Sequence, residues 1–325
     1  MENSQLLVRT ICLTYNHELY VEDALRGFAL QQTTFPVVSI IIDDASTDHT
    51  VDILNRFLKE HFVSDVSKGS FDKETDYGHV TFARHKDNPN CFFAVICLKE
   101  NHYSKGKSKY PYYKEWANTR YVALCEGDDY WIDPYKLQKQ VDFMEQHPDY
   151  VACFHNARVQ YNNHVALFND LEEKHHTPTE DIIKRQWFIA TPSLLYRNIA
   201  LEMPKWSKEV VNGDYLMELL LAKEGKFYYM DDVMSVYRKH GSGISAELNK
   251  NKVDMADKLI DLLNRTKSLY GAEYANIFDE SIMNYRRMRE VFVKEAFYDS
   301  HPIARLFRPK TYKRMIKKKL RSIVQ

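Results

Sequence analysis

The stretch that most constrains this 325-residue chain is VVSIIIDDAS, residues 37–46. Its apolar run shows no alternation and stops at two aspartates followed by Ser46, Thr47 and Asp48. A strand with one wet face alternates apolar and polar side chains. An unbroken run predicts a strand covered on both faces, as in a parallel sheet under helices. Parallel neighbours need crossovers, and the flanking sequence supplies them. LVRTICL (7–13) reads as a second buried strand. Val21 to Gln32 has helical apolar spacing at Val21, Ala24, Leu25, Phe28 and Ala29. A further helix opening at Thr47-Asp48 carries Val51, Ile53, Leu54, Phe57 and Leu58. Strand, helix, strand, helix predicts βαβ units.

The rest of the chain extends the pattern. Strands are predicted at FFAVICL (92–98), TRYVALC (119–125), DYVACFHNARV (149–159), WFIATPSLLY (187–196) and within KFYYMDDVMSVYRKH, which leads to HGSGIS. Helices are predicted from Pro134 to His147, over YLMELLLA (215–222), and through most of 246–300. Residues 64–90, polar and marked by Gly69, Gly78 and Pro89, read as an excursion without assigned structure. The expected fold class is α/β, a Rossmann-like α/β/α sandwich with a mainly parallel central sheet and a helical C-terminal extension. The expected domains are 1–245 and 246–325.

The bulk numbers narrow the class. Hydrophobic residues make up 44% and charged residues 28%, as in a soluble globular protein. The zero formal net charge hides an asymmetry: residues 302–325 carry nine Lys/Arg and no Asp/Glu, leaving 36 basic and 45 acidic residues elsewhere. With Ile303, Leu306, Phe307, Met315, Ile316, Leu320, Ile323 and Val324, the tail is basic and amphipathic. It suits either a terminal helix docked on the acidic body or peripheral contact with an anionic membrane. Charge confined to a tail argues against a nucleic-acid partner. The longest apolar run falls far short of the roughly 20 residues that span a bilayer, and MENSQLLVRT has no secretory pattern. Five cysteines without a CxxC pair read as reduced structural thiols in a cytoplasmic protein.

In an open parallel sheet, ligands bind at the carboxyl ends of the strands. Three chemistry-bearing points fall at predicted strand ends: Tyr15-Asn16, Asp43-Asp44 and Asp128-Asp129. Adjacent carboxylates suit a hard divalent cation, Mn²⁺ or Mg²⁺, which neutralises charge on a leaving diphosphate. Asp43-Asp44 also fits a loop that caps the next helix, through Ser46 or Thr47 with Asp48 in the first turn. Other motifs fail. GKS at 106–108 lacks the glycine five residues earlier, no GxGxxG is present, and His102, His175 and His176 read as surface imidazoles.

Four segments together resemble the family 2 glycosyltransferases of GT-A fold, of the bacterial surface-polysaccharide type. They are TYNHELYVEDAL (14–25), IIIDDASTDHT (40–50), ALCEGDDYWIDPYKLQKQ (123–140), and GDYLMELLLA (213–222) with VYRKHGSGIS (236–245). The resemblance implies an inverting transfer from a nucleoside diphosphate sugar, a UDP-sugar above others, to a saccharide or lipid-linked glycan. It implies that Tyr15 flanks the base, Asp44 hydrogen-bonds it, Asp128 contacts the ribose side, Asp129 holds the metal and Asp214 is the general base. His240 would lie near the diphosphate or metal. The basic loop after strand 92–98 is a departure from the family, and its Lys105 is a candidate phosphate contact beside the reading of a solvated loop. Two rivals stand beside this function. A sugar nucleotidyltransferase would show a Gly-rich, Arg/Lys-bearing loop where TYNHE stands. An inactive nucleotide-sugar-binding protein would not need both Asp129 and Asp214.

Overall fold

The computed structural model describes residues 6–63, 69–161, 164–169, 171, 175–185, 188–199, 201–210, 212–241 and 251–300. The basic tail 302–325, residues 242–245 of HGSGIS, and Trp187 lie outside the described residues. By contacts the chain divides into two units: 1–177 with 188–201 and 225–238, and 178–187 with 202–224 and 239–325.

The first unit is built on one sheet. Its centre has the order β7 (Tyr121–Leu124), β1 (Val8–Thr14), β2 (Val37–Asp43), β6 (Cys91–Leu98). These four strands pair in parallel, Val37 lying beside both Val8 and Cys91. All seven residues of β2 are buried, as the unbroken apolar run requires. Alternate side chains feed two cores. Val37 and Ile41 join Val8, Cys12, Leu25, Phe28 and Phe93 on one face, whereas Val38, Ile40 and Ile42 join Val80, Ala94, Ile96 and Trp116 on the other.

Antiparallel strands extend both flanks. One flank adds β5 (Gly78–His85), β4 (Phe71–Glu74) and β3 (Phe62–Val63). The other adds β12 (Leu195–Arg197), β9 (Tyr150–Tyr161), β10 (His164–Leu167), β13 (Lys226–Lys239), β11 (His176–Thr177) and β8 (Tyr130–Trp131). The α/β expectation therefore holds, with the parallel part confined to the centre. The polar stretch 64–90 contributes the β4–β5 hairpin instead of a structureless excursion. Of the strand expected at 187–196, only its end forms one, because Thr191–Ser193 make a short 3-10 turn.

Three helices cover the sheet: α1 (Val21–Ala29), α2 (Thr50–His61) and α4 (Lys136–Gln146); α3 (Tyr110–Tyr113) is one short turn. Helix α2 opens at Thr50, three residues later than expected. Asp48 Oδ1 accepts from Thr50 N at 3.0 Å, and Ser46 is engaged elsewhere. Helix α1 lies against the β8 backbone at Gly27, where a Cβ would come within 2.8 Å of Trp131 N and O. Lys136 is wholly buried beneath this layer. Its ammonium donates to Gln140 Oε1 at 2.7 Å and lies 4.2 Å from the Trp131 ring centroid. Desolvation brings its pKa down to about 7.

The second unit is helical: α5 (Thr179–Lys184), α6 (Gly213–Glu224), α7 (Lys252–Lys267) and α8 (Ala275–Ser300). Seven residues of α6 are buried, so it is a core helix and not a one-faced one. Helix α6, which the sequence placed ahead of residue 245, clusters here with the C-terminal helices. The Tyr215 hydroxyl donates to the Ile182 and Ile183 carbonyls of α5, at 3.2 and 2.9 Å, and Ser281 Oγ of α8 donates to Ile183 O at 3.1 Å. The helical stretch expected over 246–300 is two helices, broken around Tyr270 and Gly271.

Candidate functional site

Because β7, β1, β2 and β6 run in parallel, the segments that follow them emerge on one edge of the sheet: 125–129, 15–18, 44–49 and 99–109. The chain passes from β1 to β2 on one side and returns with β7 on the other. This reversal places the switch-point crevice between β1 and β7.

The loops after β1 and β2 are stitched together. Asn16 N donates to Ser46 Oγ at 2.9 Å, Thr47 N to Asn16 Oδ1 at 2.8 Å, His17 N to Thr50 Oγ1 at 2.8 Å and Glu18 N to Asp48 Oδ2 at 3.0 Å. The turns require left-handed backbone at Asn16 (φ 53°) and Ala45 (φ 62°). Asn tolerates that region and Ala does not, so Ala45 carries local strain of roughly 1–2 kcal/mol.

The two aspartates of β2 have separate tasks. Asp43 is buried and accepts from Ser46 N (3.0 Å) and Ser46 Oγ, while desolvation raises its carboxyl above the usual range. Asp44 clasps the following loop. Its Oδ1 accepts from His102 N at 2.8 Å, its Oδ2 accepts from Tyr103 N at 3.0 Å, and Lys109 Nζ lies 3.1 Å from Oδ2.

The segment after β7 continues the ladder with β1. Cys125 N donates to Ile11 O, Gly127 N donates to Leu13 O and Glu126 Oε2 accepts from Leu13 N. At Gly127 the two segments nearly touch: a Cβ would stand 2.7 Å from Thr14 Cβ and Oγ1 and 2.9 Å from His17 Nδ1. Glycine is thus what lets Asp128 and Asp129 sit beside the end of β1. Asp128 lies 4.0 Å from His17 Nε2. Asp129 is 2% exposed, and its Oδ1 accepts from Arg238 N at 2.7 Å. Desolvation, then the Asp128 charge, holds the Asp129 carboxyl well above its usual range.

Arg238 closes this corner. Its NH1 donates to Asp128 O at 3.1 Å, its NH2 pairs with Asp23, and its guanidinium lies over Tyr130 (4.2 Å) and Tyr20 (5.4 Å). The guanidinium charge is shared with Asp23 and relieves Asp129 only in part, so burial and the crowding by Asp128 prevail there. A divalent cation relieves that crowding, so the donor set fits one. Among the described residues no three His, Cys, Asp or Glu side chains cluster as a ready-made cage.

No protein-family model matches the chain. An uncharacterised protein of Mycobacterium tuberculosis is 32% identical over 240 residues, 72% of this chain and 59% of that protein. The chain therefore spans about three fifths of the length of the mycobacterial relatives it matches. Escherichia coli WfaP, named as a UDP-Glc:alpha-D-GlcNAc-diphosphoundecaprenol beta-1,3-glucosyltransferase, is 28% identical over 139 residues, 43% of this chain and 41% of WfaP. Bacillus subtilis TuaG, assigned to teichuronic acid biosynthesis as a glycosyltransferase, is 31% identical over 144 residues, 44% of each chain. Among solved structures, S. aureus TarS superposes with a TM-score of 0.56 at 16% identity over 87% of this chain and 43% of TarS. Mannosyltransferase PcManGT from Pyrobaculum calidifontis superposes at 0.58, also at 16% identity, over 96% of this chain and 84% of its own. The chain has the GT-A fold shared with these two structures, and less than half of it is similar in sequence to the glycosyltransferases WfaP and TuaG.

On this GT-A scaffold the residues singled out by sequence divide between the two units. Tyr15, Asp44, Asp128 and Asp129 share one edge of the sheet in the first unit, and Tyr15 is 44% exposed. Asp214 and His240 belong to the second. Asp214 stands in the first turn of α6, exposed to solvent, and its Oδ1 accepts from Tyr215 N at 2.9 Å. Desolvation by the surrounding protein raises its pKa. Lys105 is exposed and pairs with Glu100 at 2.5 Å, and Lys107 pairs with the same carboxylate. His102 is not a surface imidazole. Its loop folds back onto Asp44, which buries the ring 5.2 Å from that of Tyr112.

Sequence reading missed Arg238, Lys109, His17 and Gly127. Arg238 lies two residues from His240 in VYRKH, and Lys109 was one lysine among four in a basic loop. Only Gly127 left a readable trace, as the glycine directly before the aspartate pair.

Proposed function

We propose that this chain is an inverting glycosyltransferase that moves a hexose-type unit from a nucleoside diphosphate sugar to a saccharide or lipid-linked glycan in surface polysaccharide synthesis. The observation that carries the reading is the strand-end cluster, in which Gly127 presses Asp128-Asp129 against the end of β1 at the switch point of a GT-A sheet. Related proteins support the donor class. TarS has been solved with UDP and with UDP-GlcNAc, PcManGT with GDP-Man and Mn²⁺, and WfaP is named for UDP-Glc and a diphosphoundecaprenol-linked acceptor. A UDP-sugar is the donor we favour.

In this reading Tyr15 offers its exposed ring to the base. Asp44 meets the base edge with the lone pair that its three donors leave, since a carboxylate offers about four. Asp128 faces the ribose side, Asp129 would hold Mn²⁺ or Mg²⁺, and His240 with Lys105 would serve the diphosphate. The cation supplies neutralisation of the charge that develops on the leaving diphosphate. Inverting transfer is a direct displacement. The acceptor oxygen bonds to the anomeric carbon as its proton passes to the Asp214 carboxylate, and the carbon–oxygen bond to the diphosphate breaks with its electron pair. A carboxyl whose pKa is raised by desolvation, as that of Asp214 is, holds such a proton better than an ordinary aspartate.

Thermal shift against a panel of UDP- and GDP-sugars with Mn²⁺ tests the donor. A ligand at a hundredfold excess over its dissociation constant stabilises by about 2.7 kcal/mol. Asp129→Asn should abolish the Mn²⁺-dependent part of that shift without lowering the melting temperature at pH 7, because it relieves the crowding by Asp128 and keeps an acceptor for Arg238 N. Asp214→Asn should bind donor normally and release no nucleoside diphosphate. Failure of wild type to release nucleoside diphosphate from any donor with Mn²⁺ would overturn the enzyme reading.

A further inference from the structure

Four residues beyond Asp214 on α6 stands a second carboxyl, Glu218. It is 5% exposed, and its Oε2 has no hydrogen-bond partner among the described residues. Residues four apart on a helix share a face, with about 5–6 Å between Cβ atoms, within reach of a bond between two carboxyls. Among the described residues the charge that acts on Glu218 is that of Asp214, and no cation offsets it. From α5 the Ile182 and Ile183 carbonyls take the Tyr215 hydroxyl, and the Tyr270 hydroxyl takes Leu219 O. The titratable groups in this packing are Tyr215, Tyr270 and Tyr285, and burial raises Tyr215 and Tyr270, which keeps them neutral. Burial, then the charge of Asp214, raises Glu218 well above the ordinary carboxyl range. A carboxylate left in such a place without a partner is costly, whereas a protonated carboxyl there is a hydrogen-bond donor in need of an acceptor.

We propose that Glu218 is a positioning residue for Asp214: it stays protonated, and its O–H donates to the Asp214 carboxylate one turn away, holding that carboxylate ionised and oriented. The inference rests on the reading of Asp214 as the general base. Asp214 remains open to an acceptor hydroxyl, whose proton it takes as the glycosidic bond forms. Glu218 keeps its own proton throughout.

The test is thermal unfolding of the full chain from pH 5 to pH 9, without substrate. A carboxyl whose folded pKa is raised contributes stability that is present below its unfolded pKa and lost as pH rises through the folded value. Glu218→Gln keeps the shape and a donor but cannot ionise. Its melting temperature should therefore pull ahead of wild type as pH rises, by about 2 °C or more at pH 9. In an Asp214→Asn background that gap should shrink by half or more. A gap that stays flat with pH, or one that Asp214→Asn leaves unchanged, would overturn the proposal. If Glu218→Gln does not fold, infrared spectra of wild type and Asp214→Asn decide. A protonated-carboxyl band at pH 7 in wild type that weakens in Asp214→Asn supports the pair, and equal bands overturn it. Turnover by Asp214→Asn would instead sink the base reading, whatever the melting curves show.

Discussion

Single residues in this protein show how far burial overrides chemical type. Lys136 is fully buried with an amide and a ring as its neighbours, and its pKa falls to about 7. Unfolded, it titrates near 10.4. Between about pH 7 and 10 the unfolded chain therefore binds the extra proton, and wild-type stability gains from this group as pH rises. Lys136→Met removes that dependence. Its stability relative to wild type should be greatest at pH 6 and decline steadily toward pH 10, as read by urea denaturation. A difference that is constant with pH would place the Lys136 ammonium in water. The signal in the sequence, PYKLQKQ, shows a lysine near a helix start. Nothing in it tells that Trp131 and Gln140 close over the ammonium.

Elements meet here through glycines where no Cβ fits, Gly27, Gly78 and Gly127 among them. Gly127→Ala should cost about 1–3 kcal/mol by overpacking against Thr14 and His17. It should also weaken donor binding, because it pushes Asp128-Asp129 away from β1. Gly213→Ala is the control: nothing lies within 4 Å of its Cβ, so the substitution should be neutral or stabilise α6 by up to about 1 kcal/mol. Chemical denaturation of the two variants side by side checks both, and equal losses would refute the close approach at Gly127. The strands and helices that carry the site were legible as apolar periods, β2 above all. The clasp of Asp44 on residues 102, 103 and 109 was not, because a loop's backbone donors find a carboxylate 58 residues away only once both are folded.

At the scale of the whole molecule, charge is unevenly spread: the 24-residue end 302–325 holds nine basic side chains, and the rest of the chain carries an acidic excess. Among the described residues no helix is long and apolar enough to cross a membrane. We propose that the tail attaches the protein peripherally to an anionic membrane surface. Each basic residue adds about 1 kcal/mol of attraction to an anionic surface. Full-length protein should float with vesicles containing anionic lipid, and a chain ending at Ser300 should not. Equal flotation would dismiss the tail as an anchor. By itself the sequence determined the parallel α/β core and the three strand-end features on one edge of its sheet, because burial on both faces and loss of helical period are local signals. Tertiary structure alone decided which aspartate clasps a loop, which is buried and crowded by its neighbour, and that Glu218 is buried one turn beyond Asp214. Those facts depend on desolvation and on neighbours distant in the chain, and no local pattern of residues encodes either.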